Sequence, residues 1–492
     1  MKDKIIPIDI LAHADFAGCL KQNKRNPGLA AYSALIDDIK DLNPKGTLLL
    51  DSGDQYCVNY WGGKPVVEAL ELIGTDALTL GNHEFDWGKK VLEENVGYAK
   101  YPILCANILD KATHTFVKGV KPYVILEKAK VKIGILGLTT EYTPYMVIKG
   151  AFDEHYVVSA IDAANKYLPK MKEEGAEIII VLAHFPFYIA DDYSISGELF
   201  DVLSNIPSVD VFIGGHISGD YARLVGDTVV LKAGFGGKSL AHSRLWFDTV
   251  ERKVVNSENE VLLTDRNRPG KKEVRDYVEK IVSPYDAYFN EVLGYNEEKW
   301  TMQYAVESKL GNFLADVLCY GGQAEISYLN TTSSGGTLYP GEISIEDITS
   351  IYGFNDEILT TKMSGAKIYE LVEHIDVPER FGNNATIAFS GMVVHLDHTQ
   401  KSPHKLQAIT HYDGSPLDKK RIYTVASSEY MGKGGNDTLA VVGGLKWQST
   451  GLKYYDVAFA YLKEHKQLLN YQGQRLFENG SPEGDNSPDI SE

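Results

Sequence analysis

The sequence predicts an α/β fold whose functional side chains lie at the ends of buried strands. Short apolar runs alternate with helical patterns through the first half of the chain, which is typical of layered α/β domains. Polar clusters directly follow several of these runs, and open α/β sheets bind ligands at the carboxyl ends of their strands. At 492 residues, the chain is long enough for two or more domains.

The elements of the first half follow from their apolar periodicity. Uninterrupted short apolar runs predict strands, whereas apolar residues at three- and four-residue spacing predict helices. Residues 247–265 resemble a β-hairpin. The predicted strands are 5–11, 47–50, 77–80, 103–104, 131–136, 178–182 and 209–213, and the predicted helices are 27–40 and 66–73.

The second half predicts a connector helix and a smaller α+β domain. A charged segment with Pro269-Gly270 breaks the pattern, and helical spacing follows over residues 273–292. A further helix is predicted at 307–319, and the acidic C-terminus, rich in Pro, Gly and Ser, predicts a disordered tail. The predicted domains are 1–265 and 297–470, with a linker that contains the connector helix at 266–296 and the tail at 471–492.

Composition limits the possible partners. The net charge of −18 disfavours binding to a nucleic-acid polymer or an anionic membrane. The four cysteines are far apart and form no CxxC pair, which argues against a zinc ribbon or a redox motif. No signal-peptide pattern begins the chain, so we expect a cytoplasmic protein, or a secreted one whose signal was removed, as a monomer or dimer.

Residues 78–88 carry the most informative pattern. An apolar run ends in a glycine, and Asn82, His83, Glu84 and Asp86 follow. Asn82 offers a neutral oxygen to a hard cation, and Asp86 is close enough in sequence to orient the His83 imidazole for proton donation. The alternative is a polar loop in which Asn82 caps a helix.

Further polar residues after other strands extend this pattern to a metal centre. A two-metal hydrolase needs one shared carboxylate and additional oxygen and nitrogen ligands. Mixed carboxylate, amide and imidazole ligands favour Mn, Zn, Co or Fe over a pure Mg or Ca site. The candidates in chain order are Asp15, Asp54, Asn82, His184 and His216.

The order and context of these residues resemble the calcineurin-like metallophosphoesterases, and specifically the 5′-nucleotidase and UDP-sugar hydrolase family. The resemblance implies a four-layer αββα sandwich, then a smaller α+β domain that binds substrate. It implies hydrolysis of a small phosphorylated substrate such as a nucleotide. Other segments that match begin at Phe85 (Phe-Asp-Trp-Gly), Ile135 (Ile-Leu-Gly-Leu-Thr-Thr), Glu307 (Glu-Ser-Lys-Leu-Gly-Asn), Met363 (Met-Ser-Gly-Ala-Lys), Phe389 (Phe-Ser-Gly-Met), Tyr423 (Tyr-Thr-Val-Ala) and Gly434 (Gly-Gly).

The resemblance also implies roles for the candidate residues. Asp54 would bridge two divalent ions, Asp15 would serve one of them, and His83 with Asp86 would form the catalytic pair. The other ion would be completed by Asn82, His184 and His216.

The chain departs from the family pattern at one of the two ions. Ala17 replaces a histidine ligand, and Ser218 stands where the family has histidine, asparagine or glutamine. That ion could bind weakly, be absent, or use His13, which precedes Asp15 by two residues and would share one face of an extended strand with it. The alternative for His13 is an ordinary buried histidine.

The second domain departs as well. Asn330 and Tyr430 match substrate-binding positions, but Gly335 stands where the resemblance places a phosphate-binding arginine. Thr386 replaces a second aromatic ring, and Asn436 replaces an aspartate. We therefore expect divergent specificity. The alternatives are a non-catalytic or weakly active binding protein with one metal site, and a hydrolase of another bond such as a sulfur ester.

Overall fold

The computed structural model describes residues 4–56, 63–148, 150–190, 192–217, 219–303, 306–331, 334–375, 387–400, 405–435, 438–468 and 474–479. The chain forms two compact units, Met1–Pro284 and Tyr285–Glu492, which divide within the segment predicted as the linker. Every helix in the described ranges is too short or too polar to span a membrane.

The first unit contains sixteen strands and seven α-helices in its described residues. The strands are β1 Ile5–His13, β2 Thr47–Asp51, β3 Ala77–Thr79, β4 Ile103–Leu104, β5 Ile108–Asp110, β6 Tyr123–Lys128, β7 Val131–Thr139, β8 His155–Val157, β9 Ile178–His184, β10 Tyr188–Ile189, β11 Ile195–Ser196, β12 Val211–Ile213, β13 Tyr221–Val225, β14 Thr228–Lys232, β15 Ser239–Asp248 and β16 Lys253–Leu263. The helices are α1 Gly28–Leu42, α2 Lys64–Leu72, α3 Gly88–Tyr98, α4 Thr143–Met146, α5 Ala160–Glu173, α6 Glu198–Ser204 and α7 Lys272–Val282.

Two six-stranded sheets form the centre of the first unit. Their strand orders are β16-β15-β1-β2-β3-β4 and β13-β14-β12-β9-β7-β6. Pairing is parallel from β1 to β4, and among β14, β12, β9 and β7, while β15, β16, β13 and β6 pair in antiparallel fashion. In each sheet, parallel neighbours end at the same edge, so the loops that follow these strands lie together at that edge.

Three hydrophobic clusters establish the αββα layering. One cluster contains inward-facing strand residues of both sheets, such as Ile10 and Ile180. A second joins the other face of the first sheet to α1, α2, α3 and α7, and a third joins the second sheet to α5 and α6. Because strand side chains alternate between two faces, every central strand contributes to the inner and an outer cluster. The predicted fold class is confirmed.

The strands and helices predicted for the first half are present, with boundaries shifted by a few residues. The hairpin is also present as β15 and β16, although its first strand begins at Ser239. The connector helix predicted at 273–292 is wrong in length, because α7 ends at Val282. Pro284 has no backbone N–H for a further helical hydrogen bond, and a 3-10 turn Ser283–Tyr285 follows.

Helix α7 belongs to the outer layer of the first unit. Val274 is buried in the cluster formed with α1 and α2. The Tyr277 hydroxyl donates to the Pro65 carbonyl across 2.8 Å. The amphipathic pattern that suggested an interdomain connector helix therefore reflects packing within the first unit.

The second unit is α+β, as expected. Its five-stranded mixed sheet has the strand order 387–390, 326–330, 422–428, 357–364 and 448–453, and the helix at 309–322 packs on it. Its helices are α8 Asp286–Phe289, α9 Lys309–Gly322, α10 Ile345–Ile351, α11 Gly365–Ile375, α12 Glu429–Gly432, α13 Leu439–Val442 and α14 Tyr454–His465. Its strands are β17 Val292–Asn296, β18 Trp300–Thr301, β19 Ile326–Asn330, β20 Thr337–Leu338, β21 Gly341–Ser344, β22 Glu357–Ser364, β23 Ile387–Ser390, β24 Val393–Asp397, β25 Leu406–Thr410, β26 Ile422–Ser428, β27 Gln448–Lys453, β28 Gln467–Leu468 and β29 Leu476–Asn479.

The tail predicted at 471–492 contains a strand. β29 pairs in parallel with β24, and Leu476 is buried in the domain core. Arg475 is also buried and pairs with Asp316 at 2.8 Å. The tail was predicted from the average composition of the segment. The short strand was missed because one buried leucine and one buried arginine change that average little. Residues 469–473 and 480–492 lie outside the described residues.

Gly137 in β7 lies where the two sheets approach each other closely. A Cβ atom there would lie 2.4 Å from the Leu104 Cβ atom in β4. We expect Gly137→Ala to lower the free energy of unfolding by roughly 1–3 kcal/mol, measured by urea denaturation, because the sheets must shift apart. Gly97→Ala is the control, since a Cβ on this α3 residue meets nothing within 4 Å. Equal stability of the two variants would contradict this packing.

Candidate metal centre

The predicted ligands lie at five strand ends, three in one sheet and two in the other. Asp15, Asp54 and Asn82 follow β1, β2 and β3, while His184 ends β9 and His216 follows β12. Three of them have left-handed backbone conformations, with φ of 52° at Asp15, 58° at Asp54 and 78° at His216. Such conformations are unfavourable for residues other than glycine and concentrate at functional sites.

Four of these side chains converge on one point. His184 Nε2 lies 2.9 Å from Asp54 Oδ2, and His216 Nδ1 lies 2.9 Å from Asn82 Oδ1 and 3.3 Å from His184 Nε2. One ligand atom each from Asp54, His184 and His216 falls within 4.8 Å of the others. The structure therefore brings together the carboxylate, amide and two imidazoles that the sequence singled out.

The hydrogen bonding of His184 leaves a lone pair directed into this cluster. His184 Nδ1 lies 2.7 Å from the Ser52 carbonyl oxygen, which can only accept, so Nδ1 carries the proton. In the neutral ring, Nε2 is then an acceptor that faces the Asp54 carboxylate. A proton or a metal cation must lie between two such acceptors.

The electrostatics favour a cation at this point. Burial raises the pKa of Asp54, but the neighbouring imidazoles of His184 and His83 outweigh burial and hold it below its ordinary value. Burial lowers the pKa of His184, but Asp54 outweighs it and raises the pKa to about 9. Asp54 thus stays ionised, and the nitrogen and oxygen donors fit a divalent transition metal.

His83 and Asp86 form the predicted pair. His83 Nδ1 lies 2.7 Å from Asp86 Oδ2, and the His83 backbone N–H donates to Asp54 Oδ1 at 2.9 Å. Burial lowers the pKa of His83, but Asp86 and then Asp54 raise it to about 10. The His83 side chain is 21% exposed, whereas Asp86 is buried. Asp86 therefore orients the His83 ring, and part of that ring reaches solvent.

Asn82 does not cap a helix with its side chain. It stands before the 3-10 turn His83–Phe85, yet its side chain accepts no capping hydrogen bond. Its Oδ1 atom instead faces His216. The capping alternative is therefore wrong.

The second ion position is less complete. The His216 N–H donates to Asp15 Oδ2 at 3.1 Å, so Asp15 borders the cluster. The expectation that His13 and Asp15 share one strand face is wrong, because β1 ends at His13 and the chain turns at Asp15. His13 Nε2 instead lies 3.3 Å from Asp51 Oδ2, with both side chains buried. Ser218 lies outside the described residues.

Sequence reasoning gave Glu84 no role, yet its carboxylate holds the centre together. Oε2 accepts the backbone N–H groups of Gly81 at 2.6 Å and Asp54 at 2.9 Å. Oε1 accepts those of Gln55 at 2.6 Å and Tyr56 at 3.1 Å. The buried side chain thus joins the loop after β2 to the loop after β3. Its position in the 78–88 motif could have marked Glu84 as a functional residue, but the sequence did not show which backbone groups it contacts.

Sequence reasoning also did not single out Lys232. It ends β14 after an apolar run, and its side chain is fully buried. The Nζ atom lies 4.9 Å from the centroid of the Phe187 ring. A lysine at the end of an otherwise apolar buried strand is the signal that could have identified it.

The two candidate substrate residues lie at one edge of the second unit's sheet. β19 and β26 are parallel neighbours, and Asn330 ends β19 while Tyr430 follows β26. Asn330 is buried and Tyr430 is half-buried. Gly435 packs on the Tyr430 ring, because a Cβ there would lie 2.5 Å from Cε1. Thr386 and Asn436 lie outside the described residues.

Comparison with known families agrees with both units. Residues 11–219 match the calcineurin-like phosphoesterase family, and residues 292–442 match the 5′-nucleotidase C-terminal domain. The chain belongs to the 5′-nucleotidase family. As a family member it is a hydrolytic metallophosphoesterase with two domains.

Individual relatives align with almost the whole of this chain. A snake venom 5′-nucleotidase of Gloydius brevicauda is 25% identical over 508 residues, covering 92% of this chain and 84% of the relative. Protein UshA of Yersinia enterocolitica is 25% identical over 529 residues, covering 95% and 92%.

Two solved structures share the fold. A 5′-nucleotidase precursor of Thermus thermophilus superposes with a TM-score of 0.84 at 21% identity, covering 97% of this chain and 100% of that one. The sulfate thiohydrolase SoxB of the same organism has a TM-score of 0.79 at 17% identity, covering 96% and 97%.

The Glu84 contacts predict that this residue controls metal affinity without touching the ion. Glu84→Gln replaces one acceptor oxygen with an amide donor, so backbone N–H groups near Asp54 lose their partner. We expect the affinity for Mn²⁺, measured by calorimetry, to fall about 10- to 100-fold. The exposed α3 variant Glu94→Gln is the matched control. Unchanged affinity in Glu84→Gln would show that the Asp54 loop is held by other contacts.

Proposed function

We propose that this protein hydrolyses a nucleotide or another small phosphorylated metabolite, with specificity that differs from that of its relatives. The observation that carries this proposal is the convergence of Asp54, Asn82, His184 and His216 beside His83. Membership of a hydrolytic family supports the reaction type. Relatives named 5′-nucleotidase support the substrate class.

In this proposal, Asp54, Asn82, His184 and His216 hold a divalent transition metal such as Mn, Zn, Co or Fe. When bound, the ion supplies Lewis acidity that draws charge from the phosphoryl oxygens and activates water. Ser52 fixes the His184 tautomer, so the Nε2 lone pair remains available for the ion.

His83 acts on the phosphoryl group itself. The Asp86 carboxylate binds Nδ1, so the proton at Nε2 is the one presented to substrate. A protonated imidazole stabilises negative charge that builds up on the phosphoryl oxygens, and it can donate its proton to the leaving oxygen.

Asn330 and Tyr430 bind the part of the substrate that is not phosphate. Their positions at adjacent parallel strand ends support a shared role. Gly335 cannot replace a bidentate arginine, and Lys433 forms an ion pair with Glu429 within its own helical turn. These features support a specificity unlike that implied by the family pattern.

His83→Ala tests the catalytic pair. We expect turnover to fall by at least about 10²-fold, the usual scale for a positioned acid, while metal content stays unchanged. Initial rates with an aryl phosphate and elemental analysis of the same samples measure both quantities. The control is His114→Ala, a histidine on an exposed surface of the first unit. An unchanged rate would remove His83 from the mechanism.

Metal analysis with a substrate panel tests the function as a whole. We expect the purified protein to contain a transition metal, to lose turnover with a chelator, and to recover it with Mn²⁺, Co²⁺ or Zn²⁺. The panel should contain an aryl phosphate, nucleotides, sugar phosphates and a sulfur ester. Neither bound metal nor turnover after these additions would refute hydrolysis. Ligand-induced thermal stabilisation without product would indicate a binding protein.

A further inference from the structure

The four candidate ligands that converge at the metal centre come from two different sheets. Asp54 and Asn82 follow strands of the first sheet, whereas His184 ends one strand of the second sheet and His216 follows another. Backbone hydrogen bonds join only strands of the same sheet, and apolar packing between sheets has no preferred direction. The approach of the two ligand pairs therefore depends on directional contacts that cross between the sheets at this edge.

Ser52 makes such a contact from the first sheet. It directly follows β2 and is fully buried. Its hydroxyl donates to the Gly214 carbonyl at 2.8 Å, and Gly214 lies two residues before His216 in the loop after β12. A longer contact of 3.5 Å joins the same hydroxyl to the His13 carbonyl within the first sheet. Since the Ser52 carbonyl also lies 2.7 Å from His184 Nδ1, one residue holds both segments that carry the histidine ligands.

The space around the Ser52 hydroxyl is tightly filled. Gly215 joins Gly214 to His216, and a Cβ atom at Gly215 would lie 2.9 Å from both Ser52 Oγ and His184 Nδ1. The loop after β12 approaches Ser52 this closely because residue 215 has no side chain. The hydroxyl thus meets the loop immediately before the ligand that the loop carries.

Thr139 makes the reciprocal contact from the second sheet. It ends β7, is fully buried, and stands beside His184 in the parallel register of β7 and β9. Its hydroxyl donates to the Leu80 carbonyl, and Leu80 lies two residues before Asn82. The Asn107 amide after β4 binds the Thr139 backbone, because Nδ2 donates to the carbonyl at 2.7 Å and Oδ1 accepts the N–H at 2.9 Å. The end of β7 is thus fixed to the first sheet.

We propose that the Ser52 and Thr139 hydroxyl groups set the distance between the two pairs of metal ligands. Each donates from one sheet to a backbone carbonyl that belongs to the other sheet's loops, two residues before a ligand. Both act through the loops that carry Asn82 and His216, so they are positioning residues. The consequence for metal binding rests on the proposed function, whereas the hydrogen bonds between the sheets do not.

Substitutions of Thr139 separate the hydroxyl from the shape of the side chain. Thr139→Val keeps the shape and removes the hydroxyl, so we expect the affinity for Mn²⁺, measured by calorimetry, to fall about 10- to 100-fold. Thr139→Ser keeps the hydroxyl and removes a buried methyl group, so it should lower Tm while its Mn²⁺ affinity stays close to that of the wild-type protein. If affinity followed Tm in both variants, Thr139 would have only a structural role and the proposal would be overturned.

Thr228→Val is the matched control for Thr139→Val. The Thr228 hydroxyl is also buried and donates to a backbone carbonyl, that of Val209, at 2.9 Å. This bond stays within the second sheet, because Thr228 begins β14 and Val209 precedes β12. We expect Thr228→Val to lower Tm and to leave the Mn²⁺ affinity unchanged. A loss of affinity as large as that of Thr139→Val would overturn the proposal.

Ser52→Ala tests the other hydroxyl and leaves the backbone carbonyl of residue 52 in place for His184. We expect the Mn²⁺ affinity to fall by a similar factor, about 10- to 100-fold. Amide hydrogen exchange in residues 214–217 of the metal-free protein should become faster, because the loop has lost a directional contact. Ser33→Ala is the matched control, since the buried Ser33 hydroxyl donates to the Ala30 carbonyl at 2.8 Å within α1. Unchanged exchange and affinity in Ser52→Ala would overturn the proposal.

Hydrogen exchange in metal-free protein also separates this proposal from the proposed function. A wild-type protein that binds no ion would refute the proposed function. Faster exchange in residues 214–217 of Ser52→Ala and in residues 80–86 of Thr139→Val would still support the hydroxyl contacts, and wild-type rates in both variants would overturn them. If one variant does not fold, the other hydroxyl is decided by the same two measurements.

Discussion

The candidate metal centre depends on the hydrogen bonds that the Glu84 carboxylate accepts. This carboxylate accepts four backbone N–H groups, three from the loop after β2 and one from the loop after β3. These contacts hold Asp54 at a φ of 58°, in the left-handed region that residues other than glycine rarely adopt. The Asp54 carboxylate is thereby fixed between His184 and the His83 N–H before any ion binds. Pre-positioning of this kind lets ligands bind a metal without first losing conformational freedom.

Charge balance is the second constraint on this region. Asp15, Asp54, Glu84 and Asp86 are all buried near the same strand ends. Buried carboxylates that lie close together disfavour one another's ionisation, and burial is also the main reason that the pKa of Glu84 is raised. Hydrogen bonds from backbone N–H groups stabilise the Glu84 carboxylate. His83 stabilises the Asp86 carboxylate, and the imidazole cluster stabilises that of Asp54. A cation at the cluster therefore stabilises the fold as well as serving the chemistry.

The sequence predicted the parts of this site that depend on local patterns. Apolar runs followed by polar residues located five candidate ligands, because parallel strands bring their ends to one edge. The spacing of His83 and Asp86 similarly predicted their contact. Contacts that depend on the exact path of the chain were not predictable. His13 faces Asp51 because β1 ends there, and Glu84 approaches Asp54 only when β2 and β3 pair. Neither the bend nor the approach leaves a periodic signal.

A fixed ammonium and an exchangeable metal ion differ in what they offer a substrate. Both neutralise a carboxylate, but only a metal ion has further coordination positions for phosphoryl oxygens. Lys232 is sealed from solvent at the end of β14, so its ammonium group offers a substrate no direct ligand. In the proposed reaction, the phosphoryl group obtains its close contacts from the ion held at Asp54 and from His83, whose side chain is 21% exposed. A centre with one ion would place a greater share of the charge stabilisation on His83.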